Sequence, residues 1–308
     1  MQENSLKNFK GVIPALLTAF DEKGYYCPKY QKEIIDFLVS MKADGFYITG
    51  STGHGAVMDV SEHAEAIDSI CSLTDGRLPV AAHIAKVSSK DSAKLAESAE
   101  KAGCIAVSAV PSYYYKLNME QMVRYYSEIS DSVNIPLIVY AQTDNYTPSV
   151  EMFETLARIK NVRGLKFTGS DHYMMGRIKE HLGSDFMVYS GRDEMCLSGI
   201  ISGADGIIGS TYNVLPDLNA RAVENLKKGN FTQAKNDLMT ANAVIEKMFP
   251  LGVMSSLRAC LEFMGVNPGH QPSPFSDLDK AQKDELKSAL RSVKKKSRSE
   301  PFALFDAI

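Results

Sequence analysis

Eight short apolar, β-branched runs recur along this chain, each separated from the next by a segment of helical period, and that alternation limits the folds available to it. The runs are GVIPALL at 11, GFYIT at 45, PVAAHI at 79, IAVSAV at 105, PLIVY at 136, VRGLKF at 162, FMVYS at 186 and DGIIG at 205. Between them lie segments such as KYQKEIIDFLVSMK, SEHAEAIDSICSL, SKDSAKLAESAEKAG and MEQMVRYYSEISDSV, each long enough for a crossover helix. Strict β–α alternation implies a parallel sheet, and runs apolar on both faces imply strands covered on both sides. Eight units in about 220 residues, with no G-x-G-x-x-G after the first strand, favour a closed (β/α)8 TIM barrel over an open doubly wound sheet.

After the eighth run only helical patterns remain, with PGHQPSPF as a Pro-rich break before the last long one. The expected organisation is an N-terminal tail over 1–9, the barrel over 10–229 and a C-terminal helical extension over 230–308. The closing PFALFDAI is apolar enough to dock on the body. The run KKKSR at 294–298 reads as a solvated helix C-terminus, where cations meet the helix dipole, ahead of a phosphate site.

Composition excludes several classes of function. With 44% hydrophobic and 23% charged residues and a formal net charge of -3, the 308-residue chain has the balance of a globular protein. That balance gives no electrostatic reason to expect nucleic acid or an anionic membrane as partner. No stretch approaches the roughly 18 apolar residues of a membrane span, and the polar MQENSLKNFK has no signal-peptide core, so a cytoplasmic location is expected. Five scattered cysteines and six scattered histidines give no disulfide framework and no metal-ligand spacing, so no metal is expected.

The active site of such a barrel lies at the C-terminal ends of its strands, which directs attention to the residues closing each run. Lys166 closes VRGLKF; on a two-residue period it shares a face with Val162 and Gly164, opposite Leu165 and Phe167. A lysine at a strand end commonly snorkels into solvent. An amine enclosed by apolar walls instead loses the hydration of its charged form and becomes a nucleophile toward a ketone. The resulting imine is an electron sink for carbon–carbon bond cleavage, so no external cofactor is called for. Tyr140 closes the preceding run and is either a core tyrosine or a proton relay.

GSTGHG at 50–55 offers converging backbone N–H groups and the Ser51 and Thr52 hydroxyls to an anion; it lacks the G-K-[ST] ending of a phosphate loop. Asp193 and Glu194 in SGRDE, and Ser210 and Thr211 in IIGSTYN, close the seventh and eighth units. Carboxylates beside hydroxyls suit a neutral polyol, the alternative being that Asp193 caps the next helix.

From about Lys10 to Lys294 the chain resembles the N-acetylneuraminate lyase and dihydrodipicolinate synthase superfamily of pyruvate-dependent aldolases. The likeness rests on GSTG, SAVPSYYYK, IVY, GLKFT, GRDE and GADGIIGSTYN, and the lyase branch is the nearer one. It implies that Lys166 forms a Schiff base, that Tyr140 relays protons and that Ser51 with Thr52 holds the pyruvate carboxylate. It further implies that Thr168, Gly191, Asp193, Glu194 and Ser210 hold the sugar acid, and that Tyr113 reaches a neighbouring subunit's site in a homotetramer. The implied partners are pyruvate and a sialic acid or amino sugar.

Three departures from the family pattern stand out: His54 where Glu is usual, Ala141, Gln142 and Thr143 where Asn-x-Pro is usual, and Val110 where Thr is frequent. Two other readings remain open. One is a dihydrodipicolinate synthase or another 2-keto-3-deoxy acid aldolase, although no Arg follows the relay tyrosine before Pro148. The other is a family member that binds its ligand without turnover.

Overall fold

The computed structural model describes residues 5–142 and 147–308. Eight parallel strands appear where the apolar runs lie: β1 (Gly11–Pro14), β2 (Phe46–Ile48), β3 (Val80–His83), β4 (Ala106–Ala109), β5 (Leu137–Gln142), β6 (Val162–Thr168), β7 (Met187–Ser190) and β8 (Gly206–Gly209). From β2 to β8 each strand pairs with the next in sequence, and β1 pairs with β8, which leaves β1 and β2 at the two edges of the sheet. The remaining gap closes where Leu16 N–H donates to Tyr47 C=O at 2.8 Å beside a parallel Ala15–Tyr47 bridge. The result is a (β/α)8 barrel with a C-terminal helical extension.

The outer ring comprises α1 (Pro28–Ser40), α2 (Val60–Thr74), α3 (Ser89–Lys101), α4 (Met119–Ser132), α5 (Val150–Ala157), α6 (His172–Leu182), α7 (Cys196–Ile201) and α8 (Pro216–Lys227). Local chemistry starts several of these helices. The side chains of Asp59, Ser88, Asn118, Ser149 and Asp171 each accept from the backbone N–H three residues on, and Pro28 and Pro216 supply a preset φ at two others.

The barrel interior is filled by Ile13, Ala15, Tyr47, Ala81, Ala106, Ile138, Met187, Tyr189 and Ile208, with Leu6 and Phe9 entering from the N-terminal side. Leu6 and Phe9 of the expected N-terminal tail therefore pack into the core, while residues 1–4 of that tail lie outside the described residues. Phe9 lies edge-on to Tyr189 at 5.7 Å, and the missing side chain of Gly45 makes room for it, since a Cβ there would stand 2.5 Å from the Phe9 ring. One strand departs from simple alternation. Ile138 pairs with Gly164 directly after Leu137 pairs with Val162, so Arg163 is a bulge. The bulge resets the phase: Val162 packs with Leu165 and Phe167 toward the helices rather than beside Lys166.

The extension consists of α9 (Phe231–Met248), α10 (Val253–Phe263), α11 (Lys280–Lys296) and α12 (Ala303–Ala307). Arg258, 1% exposed, fastens it to the barrel by donating to the carbonyls of Thr18 and Pro268, both at 2.6 Å. The terminal segment docks through buried Phe302, Leu304 and Phe305, and Lys294 of the basic run donates to the Phe305 carbonyl. Among the described residues no helix is long and apolar enough to cross a membrane.

Phe9→Ala should lower stability by about 3–5 kcal/mol, the usual cost of emptying a fully buried aromatic site. Urea unfolding followed by circular dichroism measures it; a loss under about 1 kcal/mol would mean that the N-terminal segment does not plug the barrel.

Candidate active site

Strand register delivers the central pair. Tyr140 and Lys166 are direct partners across β5 and β6, and two residues on Gln142 faces Thr168. Both alternations turn the same way at the C-terminal rim, so the two side chains meet above the apolar interior. Lys166 is 6% exposed. Its Nζ sits 3.8 Å from the centroid of the Tyr140 ring, 5.2 Å from that of Tyr47 and 3.4 Å from Thr168 Oγ1. Ring faces attract a cation and offer nothing that neutralises it, so among the described residues the amine is held in place without a carboxylate partner.

These groups line a cavity of about 160 Å³ together with Ser51, Thr52, Gly191, Ser210 and Met254. A larger cavity, about 340 Å³, lies between α9 and α11 and contains none of the candidate residues. The smaller one is the site on chemical grounds, because the convergent polar groups are there.

The Tyr140 phenol feels opposing effects. Burial pushes its pKa up, while the Lys166 charge and hydrogen bonds with Thr168, Lys166 and Ser51 pull it down further, leaving it below the usual tyrosine range. Two rings support it edge-on: Tyr47 at 6.5 Å and His83 at 5.9 Å. Tyr47 is itself anchored by donating from its hydroxyl to Ser108 Oγ at 2.9 Å. Burial, and then the Lys166 charge, push His83 down to about 3, so the imidazole beside the lysine is neutral.

The turn after β2 closes the opposite wall. Thr49 and His54 adopt left-handed backbone conformations at φ 53° and 55°, and the chain folds back with Gly55 N–H donating to the Gly50 carbonyl at 3.1 Å. Ser51 is exposed at the rim. Thr52 Oγ1 lies 2.7 Å from Ser210 Oγ and so ties the turn to the end of β8. His54 does not line the cavity. Its ring packs against Phe275 at 4.9 Å and Phe20 at 6.3 Å, and burial followed by the Arg258 charge lowers its pKa to about 4. The Glu-to-His departure therefore places a neutral ring under the extension rather than a titrating group beside Lys166.

Asp193 and Glu194 line an adjoining cavity, also about 160 Å³, that shares Thr168, Gly191 and Ser210 with the first. Asp193 does not cap the following helix. Its carboxylate accepts from the backbone N–H and the hydroxyl of Thr211, both at 2.7 Å, and so braces the turn after β8. Burial raises its pKa to about 6 against those hydrogen bonds. This approach depends on Gly209, where a Cβ would lie 2.2 Å from Asp193 Oδ1; likewise a Cβ at Gly191 would lie 2.0 Å from Thr168 Oγ1. Glu194 is half-buried, and Asn242 of α9 holds its backbone carbonyl at 3.0 Å.

Seven of the ten site residues read from sequence thus share the lysine cavity: Lys166, Tyr140, Ser51, Thr52, Thr168, Gly191 and Ser210. Asp193 and Glu194 stand next door. Tyr113 is elsewhere, 47% exposed on the loop after β4, where it lines a separate cavity of about 300 Å³. Val110 before that loop is buried, and Thr143, in the loop after Tyr140, falls outside the described residues. Tyr47, His83 and the apolar residues Ile245, Phe249, Val253 and Met254 are additional members of the site region. Period two in GFYIT and PVAAHI carries a signal for the first two; the others come from the extension, which no strand pattern reaches.

The profile of the Dihydrodipicolinate synthetase family matches residues 8–293. The chain belongs to this family. An N-acetylneuraminate lyase of Rhizobium meliloti (strain 1021) is 34% identical over 287 residues, covering 92% of this chain and 95% of the relative. Among solved structures, the Clostridium difficile protein CdNal in complex with mannosamine superposes with a TM-score of 0.88 at 28% identity, covering 92% and 99% of the two chains. A Ruminococcus gnavus sialic acid aldolase, solved as a catalytic lysine mutant, gives 0.89 at 26% identity over 96% and 100%. Membership with relatives of this kind makes the chain an aldolase, a carbon–carbon lyase.

Its buried histidines set an acid limit on stability. Burial holds His54, His63 and His83 at about 4, 3 and 3, against an ordinary value of 6.5. Below pH 6.5 the unfolded chain takes up protons that the fold refuses, so stability falls as pH drops from 6.5 toward 4. The loss is up to about 1.4 kcal/mol per pH unit for each histidine. Asp193, raised to about 6, acts in the opposite sense, its contribution being lost as pH rises through 6. Three groups outweigh one, so the urea midpoint should fall steadily between pH 6.5 and 4.5; a midpoint that stays level or rises would contradict the assigned burial.

Proposed function

We propose that this chain reversibly cleaves N-acetylneuraminate, or a closely related sialic acid, to pyruvate and N-acetylmannosamine through a Schiff base on Lys166. The observation that carries the reading is the Lys166 amine, buried on the faces of Tyr140 and Tyr47 at the floor of a cavity rimmed by Ser51 and Thr52. Such an amine is screened from bulk water and, among the described residues, makes no ion pair with an acid.

In this reading Lys166 Nζ adds to the C2 ketone of the open-chain sugar acid, and loss of water gives a protonated imine. Tyr140 takes the proton of the C4 hydroxyl as the C3–C4 bond breaks; the bonding pair moves into the imine and leaves an enamine on Lys166. Protonation at C3 and hydrolysis release pyruvate and regenerate the amine. The imine is the electron sink, so the proposal needs no cofactor. A phenol held below the usual tyrosine range is suited to taking and returning a proton.

Ser51 and Thr52 line the lysine cavity and Glu194 the adjoining one; in this reading the first two receive the common carboxylate end and Glu194 the polyol. The relatives support the acceptor: one is an N-acetylneuraminate lyase, one a sialic acid aldolase, and one was solved in complex with mannosamine. We further propose a homotetramer, with the exposed Tyr113 reaching a neighbouring subunit's site.

Pyruvate release from N-acetylneuraminate, followed by a coupled lactate dehydrogenase assay, should be lost by at least about 10³-fold in Lys166→Ala and by about 10²–10⁴-fold in Tyr140→Phe. Glu194→Gln should raise KM for the sialic acid while leaving the KM for pyruvate, measured in the reverse direction, within about twofold. Condensation of pyruvate with aspartate semialdehyde in place of N-acetylmannosamine would overturn the acceptor, and retained turnover in Lys166→Ala would overturn the mechanism.

A further inference from the structure

Two cysteines far apart in sequence meet on the side of the barrel away from Lys166. Cys71 lies in the last turn of α2 and Cys104 two residues before β4 begins. Helices here run antiparallel to the strands, so the end of α2 and the start of β4 share the N-terminal face, the face associated with stability in this fold. The two thiols are free, and their Sγ atoms are 3.4 Å apart. Cys104 is 3% exposed, whereas Cys71 is only half-buried, so a small oxidant reaches the pair through Cys71.

We propose that Cys71 and Cys104 form a site of reversible oxidation, closing to a disulfide that staples α2 to the base of β4. A disulfide at about 2.05 Å requires the sulfurs to approach by about a further 1.4 Å. Divided between a helix end and a loop, that is the size of ordinary thermal displacement, about 0.9 Å per atom. The hydrogen bond with Cys104 holds the Cys71 thiol below its usual value, which makes Cys71 the attacking sulfur.

With hydrogen peroxide as oxidant, Cys71 attacks one peroxide oxygen, the O–O bond breaks, and Cys71 sulfenic acid and water result. Cys104 then attacks the Cys71 sulfur and expels a second water. Two thiols are oxidised by two electrons in all, and one peroxide is reduced to two waters.

The bridge spans 33 residues of sequence and lies outside the lysine cavity, so it should stabilise the fold without changing catalysis. The test uses the full chain treated with a small excess of hydrogen peroxide, alkylated and digested with trypsin without reductant. The expected product is peptide 43–77 joined to peptide 102–116, released by dithiothreitol. Two fewer alkylatable thiols, a Tm higher by about 5–10 °C and lyase activity within about twofold of the reduced enzyme should accompany it.

Cys71→Ser and Cys104→Ser should each remove the crosslink and the Tm rise. If either variant fails to fold, the wild-type peptide map still decides. Oxidation of Cys71 to sulfinic acid without a crosslink, pairing of either cysteine with Cys27, Cys196 or Cys260, or an unchanged Tm in the crosslinked protein would each overturn the proposal.

Discussion

One amine placed on two aromatic faces organises this molecule. A lysine at the end of a strand normally sends its ammonium group into water, where hydration is strongest. Here Lys166 Nζ is held over Tyr140 and Tyr47 at 3.8 and 5.2 Å, with only the Thr168 hydroxyl as a hydrogen-bonding partner of its own strand. Ring faces compensate part of the lost hydration without fixing the nitrogen in an ion pair, which leaves its reactivity available. His83 beside it titrates far below neutrality, and the Asp193 carboxylate in the adjoining cavity is engaged by the backbone N–H and hydroxyl of Thr211.

The barrel makes that placement reproducible. Direct pairing of Tyr140 with Lys166 sets their separation through backbone hydrogen bonds rather than through flexible side chains. The bulge at Arg163 turns Gly164 and Lys166 inward while Val162 stays in the outer core. Two glycines then permit close approach around the rim, Gly191 to Thr168 and Gly209 to Asp193. The extension completes the enclosure: Met254 lines the lysine cavity, Asn242 steadies the turn bearing Glu194, and Arg258 locks α10 to the carbonyl of Thr18.

Legibility in sequence followed the range of the interactions involved. All eight strands were readable because burial on both faces is a local pattern, and Lys166 and Tyr140 stood out because each closes such a run. The inward phase of Val162 was misread because a bulge leaves no trace in a two-residue period. Tyr47 and His83 sit inside their runs rather than at the ends, and their value depends on meeting Tyr140 from other strands. The contributions of Ile245, Phe249, Val253 and Met254 depend on how a helical extension folds back over the rim, a long-range event with no local signature. His54 illustrates the converse: it lies within the most suggestive turn, yet its ring faces Phe20 and Phe275.

The proposed chemistry requires the Lys166 amine to react as a nucleophile with a 2-keto acid. Incubation with pyruvate and sodium borohydride, followed by proteolysis and mass mapping, tests this directly. The expected product is a single reduced pyruvate adduct on Lys166, formed in proportion to lost activity. No adduct at that residue, or modification spread over surface lysines with Lys166 untouched, would contradict it.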